Sequence, residues 1–139
     1  MADLPKVAVA TFIRRDGKIL LGKRKGTRGA GKWGVPGGRL EMWEDLTEAA
    51  TREVKEETGL DVTNLKLVTA AQEMFKNDID ERVHYVTIFF VADLAEGEAE
   101  VMEPDSCEEW EWFAWDDMPK PLLACYDDLF KSGFNPFNV

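Results

Sequence analysis

The amino-acid sequence predicts a mixed α/β (α+β) fold, in which helices pack against a central mixed β-sheet. Apolar, β-branched runs at residues 6–14 and 83–94 indicate strands. Residues 47–58 and 122–130 are instead rich in helix formers. Because these elements share only 139 residues, with no repeat or linker between them, we expect a single domain over residues 1–139.

Turn signals divide the first part of the chain into short strands. Asp16-Gly17 separates two apolar runs and is typical of a hairpin turn. Pro36-Gly37-Gly38 has the composition of a second turn between short extended pieces. The predicted strands are, in chain order, residues 6–14, 18–21, 33–35, 40–42, 65–75, 83–94 and 109–115.

Local signals also fix the helix ends and one central strand. Asp45 has the composition of an N-cap for the first helix, and Gly59 is a natural stop because it accepts a left-handed backbone. The second helix is expected to end near Gly133. Residues 83–94 are apolar on both faces, so this strand should lie in the middle of a sheet covered on both sides.

Composition restricts the partners of the protein. A formal charge of −10 disfavours nucleic-acid polymers, whose binding depends on phosphate neutralisation by Lys and Arg. No apolar run is long enough to cross a bilayer and no leader is recognised, so we expect no membrane partner and a cytoplasmic location.

The two cysteines, Cys107 and Cys125, are expected to be partly buried free thiols. Five basic residues form a cluster that is either a solvated loop or a site for a small polyanion: Lys23, Arg24, Lys25, Arg28 and Lys32.

Three carboxylates on the first helix carry the strongest chemical signal. Glu53, Glu56 and Glu57 stand at i, i+3 and i+4, which places them on one face within about one turn. Like charges that close repel unless water or a cation lies between them, and Mg²⁺ prefers such oxygen ligands. The opposite face is apolar and suited to burial, with Leu46, Ala50 and Val54.

The spacing around these glutamates matches a known motif. It runs Gly38, five residues, Glu44, seven residues, Arg52-Glu53, Val54, one residue, Glu56-Glu57, one residue, Gly59 and Leu60. In this the chain resembles the Nudix hydrolase superfamily. Flanking segments are similar to its MutT-related group, among them Leu20-Leu21-Gly22-Lys23-Arg24-Lys25, His84-Tyr85-Val86-Thr87 and Trp110-Glu111-Trp112.

The resemblance implies both a fold and an activity. The fold would be an α/β/α sandwich around a mixed sheet. The activity would be hydrolysis that depends on Mg²⁺, with Mn²⁺ able to substitute, of a nucleoside triphosphate to the monophosphate and pyrophosphate. Oxidised dGTP or another modified nucleotide is included, in a role of nucleotide sanitation. Alternatives are a dinucleotide, a nucleotide sugar or an isoprenoid diphosphate as substrate, and a nucleotide-sensing module without turnover. Homodimerisation is also expected from the family.

The resemblance further assigns roles around the metal. Glu53 and Glu57 would be the chief ligands, Glu56 would complete the cluster, and the carbonyl of Gly38 would be a further contact. Arg52 would orient Glu53 by a charge-assisted hydrogen bond.

Other positions would bind the substrate or support the loop. Glu44 would support the loop before the helix, and Gly37 would let backbone approach the ligand. Arg24 and Arg39 would hold phosphate oxygens. Leu40 and Thr87 would either shape a base pocket or provide ordinary packing.

The proton acceptor is left open by the sequence. Glu53 is the first candidate, and Glu103, Glu108 or Glu109 would serve if the base comes from a loop outside the motif. His84 is expected to be structural or to contact the base, because an intact carboxylate site makes a histidine base unnecessary. Trp33, Trp110, Trp112 and Trp115 are expected to pack in the core or, for one or two of them, to stack on a nucleobase.

Overall fold

The computed structural model of the protein describes residues 4–26, 30–77 and 79–139. Seven strands and two helices lie within these ranges. They are β1 (Lys6–Arg15), β2 (Lys18–Arg24), β3 (Trp33–Gly34), β4 (Gly37–Arg39), α1 (Leu46–Thr58), β5 (Thr63–Lys76), β6 (Arg82–Asp93), β7 (Cys107–Ala114) and α2 (Ala124–Lys131).

The strands form one mixed sheet with β6 in its interior. The order along the sheet is β3-β2-β1-β6-β5, with β4 paired to β1 and β7 paired to β2. β6 runs parallel to β1 over nine residue pairs and antiparallel to β5. The prediction of a central strand at residues 83–94 is therefore confirmed, as is the mixed sheet.

The two helices cover opposite faces of the sheet. Ala10 and Phe12 of β1 share a buried cluster with Tyr126 of α2. Val9, which precedes Ala10 on β1, packs in a second cluster with Ala50 of α1. Because successive residues of a strand point to opposite faces, α1 and α2 lie on either side. The layers are α/β/α, as predicted.

The segment 33–39 fills a gap where β1 and β2 separate. The two strands pair only at Arg14 with Ile19 and Arg15 with Lys18. Beyond this point β3 pairs with β2, and β4 pairs with β1 along Ala8–Ala10. This pairing lets a short segment bridge two diverging strands.

The same pairing corrects two predictions. Gly37 and Gly38, expected in a turn, belong to strand β4, and residues 40–42, expected as a strand, are not one. The chain turns instead at residues 41–44, where Glu44 N donates to Glu41 O at 3.2 Å. Local composition favoured a turn at Gly37 and Gly38, but pairing with the edge of β1 holds them in a strand.

Helix α1 begins and ends where its sequence predicts. Asp45 caps it by accepting a hydrogen bond from Thr47 N at 3.0 Å, and Gly59 ends it with φ of 76°. Ala50 and Val54 are buried on the face toward the sheet. The helix is thus held by its apolar stripe, and Glu53 and Glu57 beside this stripe reach strand β4.

The remaining predictions concern the basic cluster, the two cysteines and membrane-spanning helices. Arg28 of the basic cluster lies outside the described residues. Cys107 and Cys125 are buried thiols rather than disulfide-bonded cysteines, as expected. No helix in the described ranges combines the length and apolar character that crossing a membrane requires.

Candidate functional site

Helix α1 and strand β4 meet through two glutamates and two glycines. Gly37 N donates a hydrogen bond to Glu57 Oε2 at 2.9 Å. The Glu53 carboxylate lies against Gly38 so closely that a Cβ at this position would overlap it. The absence of side chains at Gly37 and Gly38 is what allows both carboxylates to reach the backbone of β4.

Arg52 connects the carboxylates of this region. Its Nε and Nη2 donate to the two oxygens of Glu44 at 2.6 and 2.9 Å, a bidentate pair. Its Nη1 donates to Glu53 Oε1 at 2.8 Å and to Glu56 Oε2 at 3.1 Å. Nη2 also reaches the carbonyl of Arg39 at 3.2 Å. One guanidinium therefore joins the loop before α1, the helix and β4 in a geometry that lysine cannot reproduce.

The hydrogen bonds of Arg52 change the acidity of its partners. The bonds to Glu44, and more weakly those to Glu53, raise the pKa of Arg52 despite partial burial. In return, the bond from Arg52 lowers the pKa of the Glu44 carboxyl. Glu44 is thus held as an anion beside a permanent cation.

Burial shifts the carboxyl pKa of the two glutamates that touch β4 upward, opposite to the shift at Glu44. It raises the pKa of Glu57 to about 8, although the charge of Arg24 and the bond from Gly37 N oppose the shift. Burial also raises the pKa of Glu53 against the effect of Arg52. A positive charge placed here would stabilise both anions, so the oxygen donors fit a hard divalent cation.

The carboxylates do not converge on one point in this arrangement. Within residues 4–26, 30–77 and 79–139, no three His, Cys, Asp or Glu side chains are grouped as around a bound ion. Arg52 engages Glu53 and Glu56, whereas Gly37 engages Glu57. Glu53, Glu56, Glu57 and the Gly38 carbonyl remain the groups that could hold a cation.

A cleft of about 610 Å³ opens beside this cluster. Five predicted site residues line it: Arg39, Leu40, Arg52, Glu53 and Glu56. Lys6, Val7 and Glu41 also line it, and no pattern in the sequence singled them out. Lys6 and Val7 begin β1, and they reach the cleft only because β4 pairs with that strand, as in the bond from Leu40 N to Val7 O at 3.0 Å.

Leu40 and Thr87 lie on opposite faces of the sheet. Leu40 packs against the cluster that contains Ala50 of α1. Thr87 pairs with Ala8 and Ala71, and Ala71 packs against the cluster on the α2 side. A single pocket wall made of both residues is therefore not formed, although each remains available to a ligand that extends past the edge of β4.

The loop between β6 and β7 approaches the end of α1. Met102 N donates to Glu57 O at 3.4 Å, and Glu100 N donates to Thr58 O at 2.9 Å. The charge of Glu103 contributes to the raised pKa of both Glu53 and Glu57, so its carboxylate acts on the cluster. Glu108 and Glu109, considered as loop carboxylates, belong instead to strand β7, and Glu108 pairs with Lys23 at 3.8 Å.

The remaining candidate residues divide between the site and the core. Arg24, at the end of β2, acts electrostatically on Glu57. His84 Nε2 contacts Gln72 Oε1 at 3.0 Å, away from the carboxylates. The four tryptophans pack or bond within the fold, and Trp110 Nε1 donates to Glu57 O at 3.2 Å. Trp33 contacts Phe113, and the Arg15 guanidinium lies over the ring of Trp112. Trp115 contacts Phe12 and Phe130.

Comparisons with known proteins agree on one family. The family model described as NUDIX domain matches residues 4–132. The ADP-ribose pyrophosphatase of Methanocaldococcus jannaschii is 39% identical over 127 residues, covering 91% of this chain and 72% of that protein. The NAD-capped RNA hydrolase NudC of Edwardsiella ictaluri is 34% identical over 84% of this chain, which spans only 42% of it. The crystal structure of a MutT NUDIX hydrolase from Burkholderia pseudomallei superimposes with a TM-score of 0.82 and 36% identity, covering 93% of this chain and 98% of the other.

Proposed function

The chain belongs to the Nudix family, and on that premise we propose that it hydrolyses the diphosphate bridge of ADP-ribose or of a related dinucleotide. One observation carries this choice of substrate. The ADP-ribose pyrophosphatase shares 39% identity over 91% of this chain, and the chain covers 72% of that relative. The NudC relatives, named for a dinucleotide-capped RNA, support the same substrate class.

The site supports hydrolysis that depends on a divalent cation, as Nudix hydrolases generally do. We assign Mg²⁺ to this chain, with Mn²⁺ able to substitute. Glu53, Glu56, Glu57 and the Gly38 carbonyl would hold it. When bound, the cation supplies charge neutralisation for the diphosphate and lowers the pKa of a water molecule.

The residues of the chain orient the groups that react. Arg52 holds Glu53 and Glu56 through its Nη1, at 2.8 and 3.1 Å, which restrains both side chains. Arg24 and Arg39 carry the positive charge for phosphate oxygens. The oxygen of water forms a bond to one phosphorus while the bridging phosphorus–oxygen bond breaks, and the proton of the water passes to a carboxylate.

Two carboxylates are suited to accept that proton. Glu53 lies against the Gly38 backbone, among the groups that would hold the cation and its water molecule. Glu103 is the loop carboxylate whose charge acts on both Glu53 and Glu57. Each carboxylate would be substituted separately by glutamine. The variant that lacks the base should lose the fall in kcat on the acid side of the pH profile.

A second candidate is the nucleoside triphosphate that the sequence led us to expect. The 36% identity and TM-score of 0.82 with a MutT NUDIX hydrolase favour it. Lys6 and Arg39, both lining the cleft, add positive charge for a third phosphate. We place it second because the curated relatives point to a diphosphate joined to another group.

A substrate panel separates the candidates. Purified protein with Mg²⁺ would be given ADP-ribose, NADH and dGTP in turn, and the products separated by ion-exchange chromatography. AMP from ADP-ribose or NADH supports the first candidate, whereas dGMP with pyrophosphate alone supports the second. Turnover of none of them contradicts both and leaves a nucleotide-sensing module.

Glu57→Gln tests whether the turnover belongs to this site. We expect at least an approximately 100-fold lower kcat, because the variant loses a charged ligand at the centre of the cluster. Glu48→Gln is the matched control, since Glu48 lies exposed in the first turn of the same helix. Equal activity of Glu57→Gln and wild type would show that the activity arises elsewhere.

A further inference from the structure

The backbone of residues 35–38 is hydrogen-bonded to side chains of both helices, α1 and α2. From the α1 side, the Glu57 carboxylate accepts a hydrogen bond from Gly37 N at 2.9 Å. From the α2 side, the Tyr126 hydroxyl accepts one from Val35 N at 3.0 Å. Only Pro36, which has no N–H, separates the two donors.

Tyr126 is fixed in place by its surroundings. It is 2% exposed, and its ring contacts those of Phe12, Phe89 and Phe130 at centroid distances of 6.0, 5.8 and 6.3 Å. Burial raises the pKa of its hydroxyl, which therefore stays protonated. A ring held this way gives its hydroxyl a defined position against the backbone.

The N–H of Val35 has the Tyr126 hydroxyl as its hydrogen-bond partner, whereas other groups of this segment bond to backbone. Trp33 N donates to Pro121 O at 2.9 Å, and the Pro36 carbonyl accepts from Thr11 N at 2.9 Å. The Val35 N–H is bonded to a side chain instead, and the residue is 2% exposed. A buried N–H without a partner is costly, so loss of the hydroxyl would push this backbone to move.

We propose that Tyr126 is a positioning residue for the Gly37-Gly38 backbone, through which α2 sets how firmly the site holds its cation. The inference rests on the proposed function, since it concerns the cation that this function requires. Tyr126 touches neither substrate nor cation. It acts through Val35 and Pro36 on the N–H that binds Glu57 and on the carbonyl beside Glu53.

Tyr126→Phe tests this proposal by removing one oxygen and keeping the ring. We expect Mn²⁺, measured by calorimetry on the full chain, to bind about tenfold more weakly, as is usual when support around a metal ligand is lost. The kcat for ADP-ribose should fall by a similar factor with little change in KM. Hydrogen exchange at the amides of Val35 and Gly37 should become faster.

Leu129→Ala is the matched control on the same helix. Leu129 is 4% exposed, so the variant loses core packing while the Tyr126 hydroxyl remains. Its melting temperature should fall, but its Mn²⁺ affinity should stay near that of wild type. Equal weakening in both variants, or none in Tyr126→Phe, overturns the proposal.

A second measurement covers the case in which Tyr126→Phe does not fold. The chain has two tyrosines, so wild-type protein labelled with fluorotyrosine gives two ¹⁹F signals, assigned with Tyr85→Phe. Saturation with Mg²⁺ should shift the Tyr126 signal, and an unchanged signal overturns the proposal. If wild type binds Mn²⁺ but hydrolyses no substrate, the proposed function fails, and the affinities of the variants still decide the role of Tyr126.

Discussion

Glu57 is the one charged residue that is buried in the described part of the chain. Its neighbours on α1 reach solvent or Arg52, whereas its own carboxylate is directed at the backbone of Gly37. Charge in a buried position lowers stability unless a partner compensates it. Burial of the Glu57 carboxyl therefore lowers the stability of the fold, and a bound cation would offset this cost.

This conflict predicts a pH-dependent stability in the absence of metal. Burial raises the pKa of Glu57 to about 8, from an ordinary value of 4.5 in the unfolded chain. Between these values the native state holds a proton that the unfolded state has lost. The free energy of unfolding should therefore fall as pH rises through this window, by up to about 1.4 kcal/mol per pH unit from this group.

Urea unfolding in EDTA at pH 5, 6, 7 and 8 measures the effect. Glu57→Gln removes the titrating group and keeps an oxygen for Gly37 N, so its curve should lack this contribution. Saturating Mg²⁺ should reverse the trend in wild type, because the cation binds the deprotonated carboxyl. Parallel profiles for wild type and variant in EDTA would show that Glu57 titrates near its ordinary value.

The turn before α1 shows strain at the scale of an element. Residues 41–44 form a four-residue turn, and its third residue, Trp43, has φ of 65° and is 99% exposed. Left-handed backbone at this turn position favours glycine, because a Cβ crowds the following carbonyl. The turn is nevertheless kept, since Glu44 is fixed by two bonds from Arg52.

Trp43→Gly should therefore stabilise the protein. Relief of the left-handed backbone is worth about 1–2 kcal/mol, and the greater chain entropy of glycine removes about 0.5–1 kcal/mol of that. A rise of a few degrees in melting temperature is expected by calorimetry. Trp43→Ala loses the same exposed ring but keeps the strain, so it should show no such rise. Equal melting temperatures of the two variants would assign the effect to the indole.

At the scale of the whole molecule, the site exists because β4 lies between β1 and α1. Gly38 pairs with Val9 on one side and faces Glu53 on the other. The sheet on one side and the helix on the other leave no room for a side chain. This contact joins parts of the chain that are far apart in sequence.

Gly38→Ala should separate β4 from α1. The added methyl would overlap the Glu53 carboxylate, so we expect kcat and Mn²⁺ affinity to fall by about 10–100-fold. Gly17→Ala is the control, since a Cβ there meets nothing within 4 Å, although φ of 74° will reduce stability. Steady-state kinetics and calorimetry give the comparison. Unimpaired Gly38→Ala would mean that Glu53 can leave β4 without consequence.

Several features were determined by the sequence alone, because they depend on local chemistry. The spacing of Glu53, Glu56 and Glu57 sets their common face through the helical repeat, and Asp45 and Gly59 define the helix by capping it. The doubly apolar run in β6 predicted a central strand. The helix caps and the central strand are confirmed, because capping depends on neighbouring residues and a run that is apolar on both faces needs cover on both sides. The single-domain organisation and the roles assigned to the site residues stay predictions.

Only the tertiary structure decided which distant segments meet. It placed Gly37 and Gly38 in a strand, brought Lys6 to the cleft, separated Leu40 from Thr87 and joined Val35 to Tyr126. The physical reason is that strand pairing and register are set by all the edges and faces that a chain offers at once. Composition of a short segment records its preference in isolation, and it carries no information about the partner that will satisfy its backbone.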